Sequence, residues 1–538
     1  MPQKNEIMTL TACGYTNEGE GVCRAEGFVV FVPGMLEGEQ AEVQLLKVKK
    51  TYAYGKIVRL LNQSEERNEI DCPSFPQCGG CKLRHMSYEE ELKLKKQLVT
   101  DAVERIGGLH LKVWEVRPSP KQFHYRNKAQ LPVGMENGVP VTGFFAARSH
   151  RLVSCQNCLI GDERTDLASK ALAEYMQKTG ATVYDETTHR GLIRHLYLRY
   201  GTEKTMVCVV TNGKKLPNSE LLCEKMRNAL GEQITVVQNV NTEKTNVVLG
   251  KEMIPLFGDG TISDRLCGLE FQISPHSFFQ VNHAQTEQLY QKAVELSAVS
   301  KEDTILDLYC GIGTMTLLFA DKAKKAYGVE IVPQAIENAK KNAEKNGIEN
   351  VEFLCGDAST AVKKFENEPV DVVVVDPPRT GCSAELIDSI LKISPKRIIY
   401  VSCNPATLAR DMKLFAESGY MGEEVYPFDM FPRTAHVETV ALLTKLKESD
   451  SITVELNLDE LEVTAPEMKA TYGQIKEYVL NKYGFKVSSL NIAQVKKECG
   501  IIERENYNKP SDDYKQPNCP KTKADAIKDA FKYFKMIN

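Results

Sequence analysis

From about residue 283 to residue 446, short apolar runs alternate with helical stretches, and few folds accommodate that alternation. Residues 304–308, 327–330, 351–354, 371–375 and 397–401 each read as a short strand rich in Val, Ile and Leu. Runs of this kind, separated by helices, predict a doubly wound parallel sheet whose ligands lie at the carboxyl ends of its strands. The last apolar stretch, 437–443, fits a hairpin added at the edge of that sheet.

The residues at those strand ends are chemically unusual. Cys403 follows the run 397–401 within Tyr-Val-Ser-Cys-Asn-Pro-Ala-Thr at 400–407, and Asp376-Pro377-Pro378-Arg379 follows four consecutive valines. His436-Val437-Glu438 lies near the end of the same unit. The first strand opens into Tyr309-Cys310-Gly311-Ile312-Gly313-Thr314, and Glu330 closes the second. A glycine turn followed about 20 residues later by an acid suits an adenosine group, because the turn lets the ligand approach the backbone and Glu330 can accept both ribose hydroxyls. The turn lacks the third glycine of the dinucleotide fingerprint and is preceded by Asp307, a pattern closer to S-adenosylmethionine enzymes. Taken alone, Cys403 is most simply a buried inert thiol and Glu438 a surface carboxylate. Beside Asp376 and the cofactor turn, they instead form a nucleophile and a base. Such a pair suits methylation at C5 of uracil: a thiolate adding to C6 makes C5 nucleophilic, and a base must then remove the C5 proton.

The rest of the chain divides by composition. Residues 1–62 alternate apolar and polar residues between glycines, which predicts a small β-barrel; Lys47, Lys49, Lys50, Lys56 and Arg59 interleave with Tyr52 and Tyr54, as on a single-stranded nucleic-acid surface or a solvated strand face. Residues 66–282 read as a mixed α+β domain. It opens on Cys72, Cys78 and Cys81, followed by a charged helix from Ser87 to about Arg105. A fourth thiol from Cys155 or Cys158 would complete a site for zinc or a [4Fe-4S] cluster, and spacing does not choose between them. Phe123-His124-Tyr125-Arg126-Asn127-Lys128 concentrates cations and aromatics that can hold phosphates and stack bases, which makes Arg126 and Lys128 candidate substrate contacts. Residues 283–447 form the doubly wound domain. Residues 448–538 read as a helical extension, with helices over 472–483, from Ser488 or Ser489 through Lys497, and over 523–534, and a loop at 509–521. A helix-turn-helix is the less favoured reading of the first two helices, packed hairpins being commoner.

A formal net charge of −4 over 538 residues argues against polycation-type binding, so any nucleic-acid contact rests on local basic patches. The sequence has no apolar run long enough to span a bilayer and no signal-peptide core at its start, which predicts a cytoplasmic chain with no membrane association. Sixteen cysteines in such a chain predict metal ligands or reactive thiols rather than disulfides.

These segments resemble a known family. Residues 376–381, 398–407 and 428–438 are similar to the two signatures of RNA uracil-5-methyltransferases, and Ser277-Phe278-Phe279-Gln280-Val281-Asn282 with residues 307–314 resembles their cofactor site. The resemblance covers residues 8–446. It implies Cys403 as nucleophile and Glu438 as base, S-adenosyl-L-methionine on Gln280, Tyr309, Gly311, Gly313, Glu330 and Asp376, and Phe278 stacked on a flipped base. It also implies that the barrel is a TRAM domain, and that Cys72, Cys78, Cys81 and Cys158 hold a [4Fe-4S] cluster as in the 23S ribosomal RNA branch, with Cys155 left over. The expected substrate is 23S ribosomal RNA, acted on by a monomer without a protein partner. The alternatives are a transfer-RNA uracil-5-methyltransferase, opposed by the barrel and cluster cysteines, and a non-catalytic RNA-binding assembly factor, opposed by the intact Cys403, Glu438 and cofactor turn. Arg433 departs from the family, which usually has glutamine, histidine or tyrosine there.

Overall fold

Alternating side chains close the first sixty residues into a barrel. In the computed structural model, which describes residues 2–446 except 26 and 148, together with 472–483, 485, 487–499 and 519–534, five strands pair in the order β1-β2-β3-β5-β4. They are β1 (Ile7–Tyr15), β2 (Gly21–Ala25), β3 (Phe28–Val32), β4 (Gln40–Val48) and β5 (Tyr52–Leu60). Leu10, Cys23, Val30, Val43 and Ala53 fill the interior. Outside, the rings of Phe31, Tyr52 and Tyr54 lie 5.7 Å apart pairwise, and Lys47, Lys49, Lys50 and Lys56 are exposed. The β1–β2 turn requires glycine at Gly19, where φ is +77° and a Cβ would come within 2.3 Å of Leu83.

Ser87 caps helix α1 (Tyr88–Asp101) by accepting the Glu90 N–H, and the helix continues as a π-helical stretch, Ala102–Gly107, before the short strand β6 (Lys112–Val113). The central domain has strands β7 (Lys128–Glu136), β8 (Val139–Phe145), β9 (Leu152–Ser154), β10 (Ile193–Tyr200), β11 (Thr205–Thr211), β12 (Ile234–Val240) and β13 (Glu252–Phe257) in the order β13-β12-β11-β10-β7-β8-β9. Helices α2 (Arg164–Thr179) and α3 (Ser219–Leu230) supply Leu172, Met176, Leu222 and Met226 to its core. A hairpin, β14 (Ile262–Leu266) and β15 (Leu269–Ile273), leads out of it.

The last part of this unit is the doubly wound domain. After α4 (His283–Ser297) come β16 (Thr304–Asp307), α5 (Thr314–Ala320), β17 (Lys325–Glu330), α6 (Pro333–Lys345), β18 (Val351–Cys355), α7 (Ala358–Ala361), β19 (Val372–Val375), α8 (Ala384–Ile393), β20 (Arg397–Ser402), α9 (Pro405–Glu417), β21 (Tyr420–Phe428) and β22 (Glu438–Lys445). The sheet order β18-β17-β16-β19-β20-β22-β21-β6 places the topological switch between β16 and β19. The β21–β22 hairpin lengthens the sheet as its apolar pattern suggests, but the edge itself is β6, two residues from far earlier in the chain.

A second compact unit, Ser451–Asn538, contains α10 (Tyr472–Tyr483), α11 (Ser489–Glu498) and α12 (Lys521–Tyr533). Ser488 Oγ accepts the Asn491 N–H at 3.1 Å, and Ile475, Val479, Ile492, Val495, Ile527 and Phe531 form the core. Most of the loop expected at 509–521 lies outside the described residues. Among the described residues no helix is long and apolar enough to cross a membrane.

One ionic cluster fixes α1 against the doubly wound domain. Lys95, fully buried, donates to Glu91 Oε1 at 2.7 Å, to Asp429 Oδ1 at 2.6 Å and to the Phe431 carbonyl at 3.3 Å. Tyr88 donates to Asp429 Oδ2 at 2.7 Å and accepts the Ser119 N–H at 2.8 Å. Burial works against the Lys95 ammonium, but Asp429 and Glu91 outweigh it and hold the pKa above its usual value. Replacing Lys95 with Met leaves both carboxylates buried without their cation, so Lys95→Met should lose about 3–5 kcal/mol in a denaturant titration; a loss near zero would show that the cluster does not hold the fold.

Candidate active site and cysteine cavity

The antiparallel ladder between β20 and β22, not proximity in sequence, brings Cys403 and Glu438 near each other. It runs from Arg397 opposite Thr444 to Ser402 opposite Thr439, and Cys403 and Glu438 are the residues that adjoin this last pair. Thr439 Oγ1 donates to the Ser402 carbonyl at 3.0 Å and closes the end of the ladder. Asn404 then caps α9 by accepting the Ala406 N–H, and its Nδ2 donates to the Arg379 carbonyl at 3.0 Å. This last bond ties the Cys403 turn to the Asp376-Pro377-Pro378-Arg379 turn that follows β19.

The electrostatics of this group are set by burial and by one cation. Burial, reinforced by Glu438 and Asp376, pushes the Cys403 thiol up to about 11, and Arg379 pulls it down. Glu438 is 3% exposed; burial and the nearby Asp376 hold its carboxyl well above the usual range, again opposed by Arg379. Burial and Asp307 push Asp376 up to about 7. Asp307 is itself raised to about 6 by burial, and accepts from Thr316 Oγ1 at 2.6 Å. Arg379 is the cation that favours a thiolate at Cys403, against the burial and the carboxyls that disfavour it.

The cofactor turn lies on the other side of the switch point. Gly311 N–H donates to Glu330 Oε2 at 3.2 Å, and Val332 N–H to Oε1 at 2.9 Å, so the Glu330 carboxylate is fixed beside the turn. Gly313 starts α5 at φ +85°, where a Cβ would meet the Phe353 ring at 3.0 Å. Tyr309 feels the Asp357 carboxylate, which places Asp357, at the end of β18, beside the same turn. Gln280 is buried in the 274–282 loop, whose position is set by Asn127: Asn127 Nδ2 donates to the Gln280 carbonyl at 3.0 Å and Asn127 N–H to Val281 at 2.9 Å. Phe278 on that loop is 64% exposed.

A cleft of about 440 Å³ opens over Cys403. One wall is Arg379, Asn404 and His436; the opposite wall comes from the barrel turn (Tyr15, Asn17, Glu18) and the π-helical stretch (Arg105, Ile106). Lys82 pairs with Glu18, and Tyr15 donates to Glu90 Oε1 at 2.9 Å, anchoring the barrel turn there. His436 is driven down to about 4 by burial and the surrounding cations, led by Arg379, and is therefore neutral at physiological pH. The barrel wall carries no sequence signal that connects it with Cys403. Arg379 was visible in its motif, and its influence on the thiol follows from standing next to Asp376.

Cys72, Cys78, Cys81, Cys155 and Cys158 line a second cavity, of about 250 Å³, together with Arg84, Arg126 and Lys128. The Gly80 N–H points at Cys78 Sγ at 3.3 Å. A hydrogen bond between the Cys155 and Cys158 thiols pushes Cys158 down and Cys155 up. Among the described residues no three His, Cys, Asp or Glu side chains converge as a site for a single metal ion. Arg126 and Lys128 line this cavity, Arg126 also lines another one with His124, Asp162 and Tyr200, and burial lowers Lys128 to about 8. The Arg126 N–H donates to the Ile160 carbonyl at 3.0 Å, so this segment threads between the Cys158 loop and the Gln280 loop.

Residues 87–446 match the tRNA (uracil-5-)-methyltransferase family, and residues 4–58 match the TRAM domain. Relatives from Clostridium tetani and Halalkalibacterium halodurans, both described as uncharacterized RNA methyltransferases, are 44% identical over 446 residues and 43% over 447; each alignment spans 82% of this chain and 97% of the relative. The crystal structure of Pyrococcus abyssi tRNA (uracil-54, C5)-methyltransferase in complex with S-adenosyl-L-homocysteine superposes with a TM-score of 0.64 at 28% identity, covering 81% of this chain and all of that one. A match of this extent, across the domain that carries Cys403, Asp376 and Glu438, makes the chain a member of the tRNA (uracil-5-)-methyltransferase family, and the chain is an RNA methyltransferase.

Proposed function

We propose that the chain methylates C5 of a uridine in 23S ribosomal RNA, with Cys403 as nucleophile and Glu438 as base. The observation that supports this reading is the end of the β20–β22 ladder, where a thiol and a buried carboxyl adjoin the last pair at the strand ends where such sheets bind ligands. S-adenosyl-L-methionine, held by Gln280, Tyr309, Gly311, Gly313, Glu330 and Asp376, supplies an electrophilic sulfonium methyl group. The Cys403 thiolate, favoured by Arg379, adds to C6 of the uracil and leaves C5 as an enolate carbon able to take the methyl group. Glu438 then removes the C5 proton, the C5–C6 double bond re-forms, and the Cys403–C6 bond breaks to release thiolate. In this reading Phe278 stacks on the extruded base, and its exposure on the loop that carries Gln280 supports that role.

We also propose that Cys72, Cys78, Cys81 and Cys158 hold a [4Fe-4S] cluster. Four thiols and two arginines around one cavity suit an anionic iron-thiolate centre. Methyl transfer is redox-neutral, so the cluster serves as a cross-link between the cysteine segment and the Cys158 loop.

A second reading, a transfer-RNA uridine as substrate, is favoured by the Pyrococcus likeness.

Three measurements test these proposals. Cys403→Ala should abolish both methylation and the denaturant-stable protein–RNA adduct, whereas Glu438→Gln should accumulate methylated adduct because its release slows by about 10²–10⁴-fold; Glu438→Gln turning over without adduct would overturn the assignment of the base. Cys78→Ser should lose visible cluster absorbance and RNA affinity together, and full RNA binding without the cluster would refute the cross-link. Mass-spectrometric mapping of 5-methyluridine in cells with and without the gene should show loss from 23S ribosomal RNA, and loss from transfer RNA alone would establish the second reading.

A further inference from the structure

Arg433 lies in the segment joining Asp429 to Glu438 and is 7% exposed. Its backbone is left-handed, φ +70°, a conformation that is strained for a non-glycine residue and persists only where its surroundings over-determine it. They do so here. Arg433 N–H donates to Glu91 Oε1 at 2.7 Å, and its carbonyl accepts from Lys82 N–H at 2.9 Å and Leu83 N–H at 3.1 Å, directly after Cys81. The guanidinium donates to Gln122 Oε1 at 2.8 Å and the Met86 carbonyl at 3.4 Å, and lies 3.7 Å from Glu91 Oε2. It also sits over the Tyr88 ring at 5.6 Å and the Phe123 ring at 6.0 Å.

Charge explains why an arginine belongs there. Glu91 and Asp429 are two buried carboxylates, and Lys95 is one cation. Burial, joined by Asp429, raises Glu91 to about 7, and Lys95 and Arg433 oppose that rise, so Arg433 favours the ionised form of the cluster in a low-dielectric interior. Arg433 also reaches toward Glu91 Oε2, which has no hydrogen-bond partner. The residues after it form the wall of the cleft: Ala435, His436 and Val437 line the space beside Cys403, and Glu438 follows.

We infer that Arg433 is a positioning residue that fixes the 429–438 segment between α1 and the cysteine segment, so that Glu438 meets the C5 proton of the substrate uracil. This rests on the reading of Glu438 as the base. The geometry separates two steps of the reaction. Cys403 is held by β20 and the Asn404 cap, which Arg433 does not touch, whereas Glu438 opens β22 opposite Phe428 and ends the segment that Arg433 anchors. Loss of Arg433 should impair proton removal and spare adduct formation.

The experiment is a single-turnover reaction with RNA and S-adenosyl-L-methionine, quenched in denaturant, with the covalent protein–RNA species resolved on a gel for wild type, Glu438→Gln, Arg433→Ala, Arg433→Lys and Gln122→Ala. Arg433→Ala should form adduct within about twofold of the wild-type rate and release it about tenfold more slowly, a partial loss of general-base catalysis. Arg433→Lys, which restores the cation without the fork, should recover part of the release rate. Equal slowing of formation and release, or release at the wild-type rate, would overturn the inference. Should Arg433→Ala fail to fold, Gln122→Ala decides: it removes one guanidinium partner, and release unchanged from wild type would overturn the role. If Glu438→Gln accumulates no adduct, the assignment of the base fails whatever Arg433→Ala does; if only Arg433→Ala fails to accumulate it, only the positioning role is lost.

Discussion

The buried pairing of Lys95 with Glu91 and Asp429 is the interaction on which the catalytic geometry depends. It joins a helix near residue 95 to a segment near residue 430, and the chain between them builds the central domain and most of the doubly wound sheet. A fully buried ammonium is tolerable only with anionic partners in direct contact, so the cluster admits little sliding of α1 over the sheet. The same segment is held by the Tyr125 hydroxyl on the Pro432 carbonyl at 3.0 Å and by Asn282 Nδ2 on the Met430 carbonyl at 3.1 Å. Three parts of the chain thus converge on the residues leading to Glu438.

This convergence gives the accessory parts a direct connection to the reacting groups. The barrel turn forms a wall of the cleft over Cys403 and is tied by Glu18 to Lys82, whose backbone is bonded to Arg433. An RNA loop bound across the barrel would therefore meet the thiol within one continuous surface. The cysteine cavity borders the same region through Arg126, whose neighbour Asn127 positions the Gln280 loop.

Much of this was legible in the residues. The glycine turn, Glu330, Asp376 and Cys403 mark strand ends in an alternating pattern, and strand ends in such sheets bind ligands. The barrel was visible in its alternation and glycines, and the helix after Ser87 in its charged run. Other features depended on the fold. Arg126 and Lys128 read by composition as phosphate contacts, and the fold sets both on the wall of the cysteine cavity, with Arg126 also lining another cavity. The β21–β22 hairpin was expected to form the sheet edge, and β6 covers it because pairing with a distant two-residue strand leaves no local trace.

By itself, the sequence determined the classes of structure and the chemical groups available: a parallel sheet with a thiol and carboxylates at its strand ends, a small barrel, and clustered thiols. Local periodicity, glycine placement and side-chain chemistry act within a few residues and can be read in order. The tertiary structure alone decided which groups meet. The approach of Cys403 to Glu438 depends on the antiparallel ladder that ends beside both, the barrel's place at the cleft on packing around Gly19 and Leu83, and the meaning of Arg433 on contacts between residues more than 300 positions apart. Register, close packing and desolvated charge are properties of the folded interior, and none of them is encoded in any single segment.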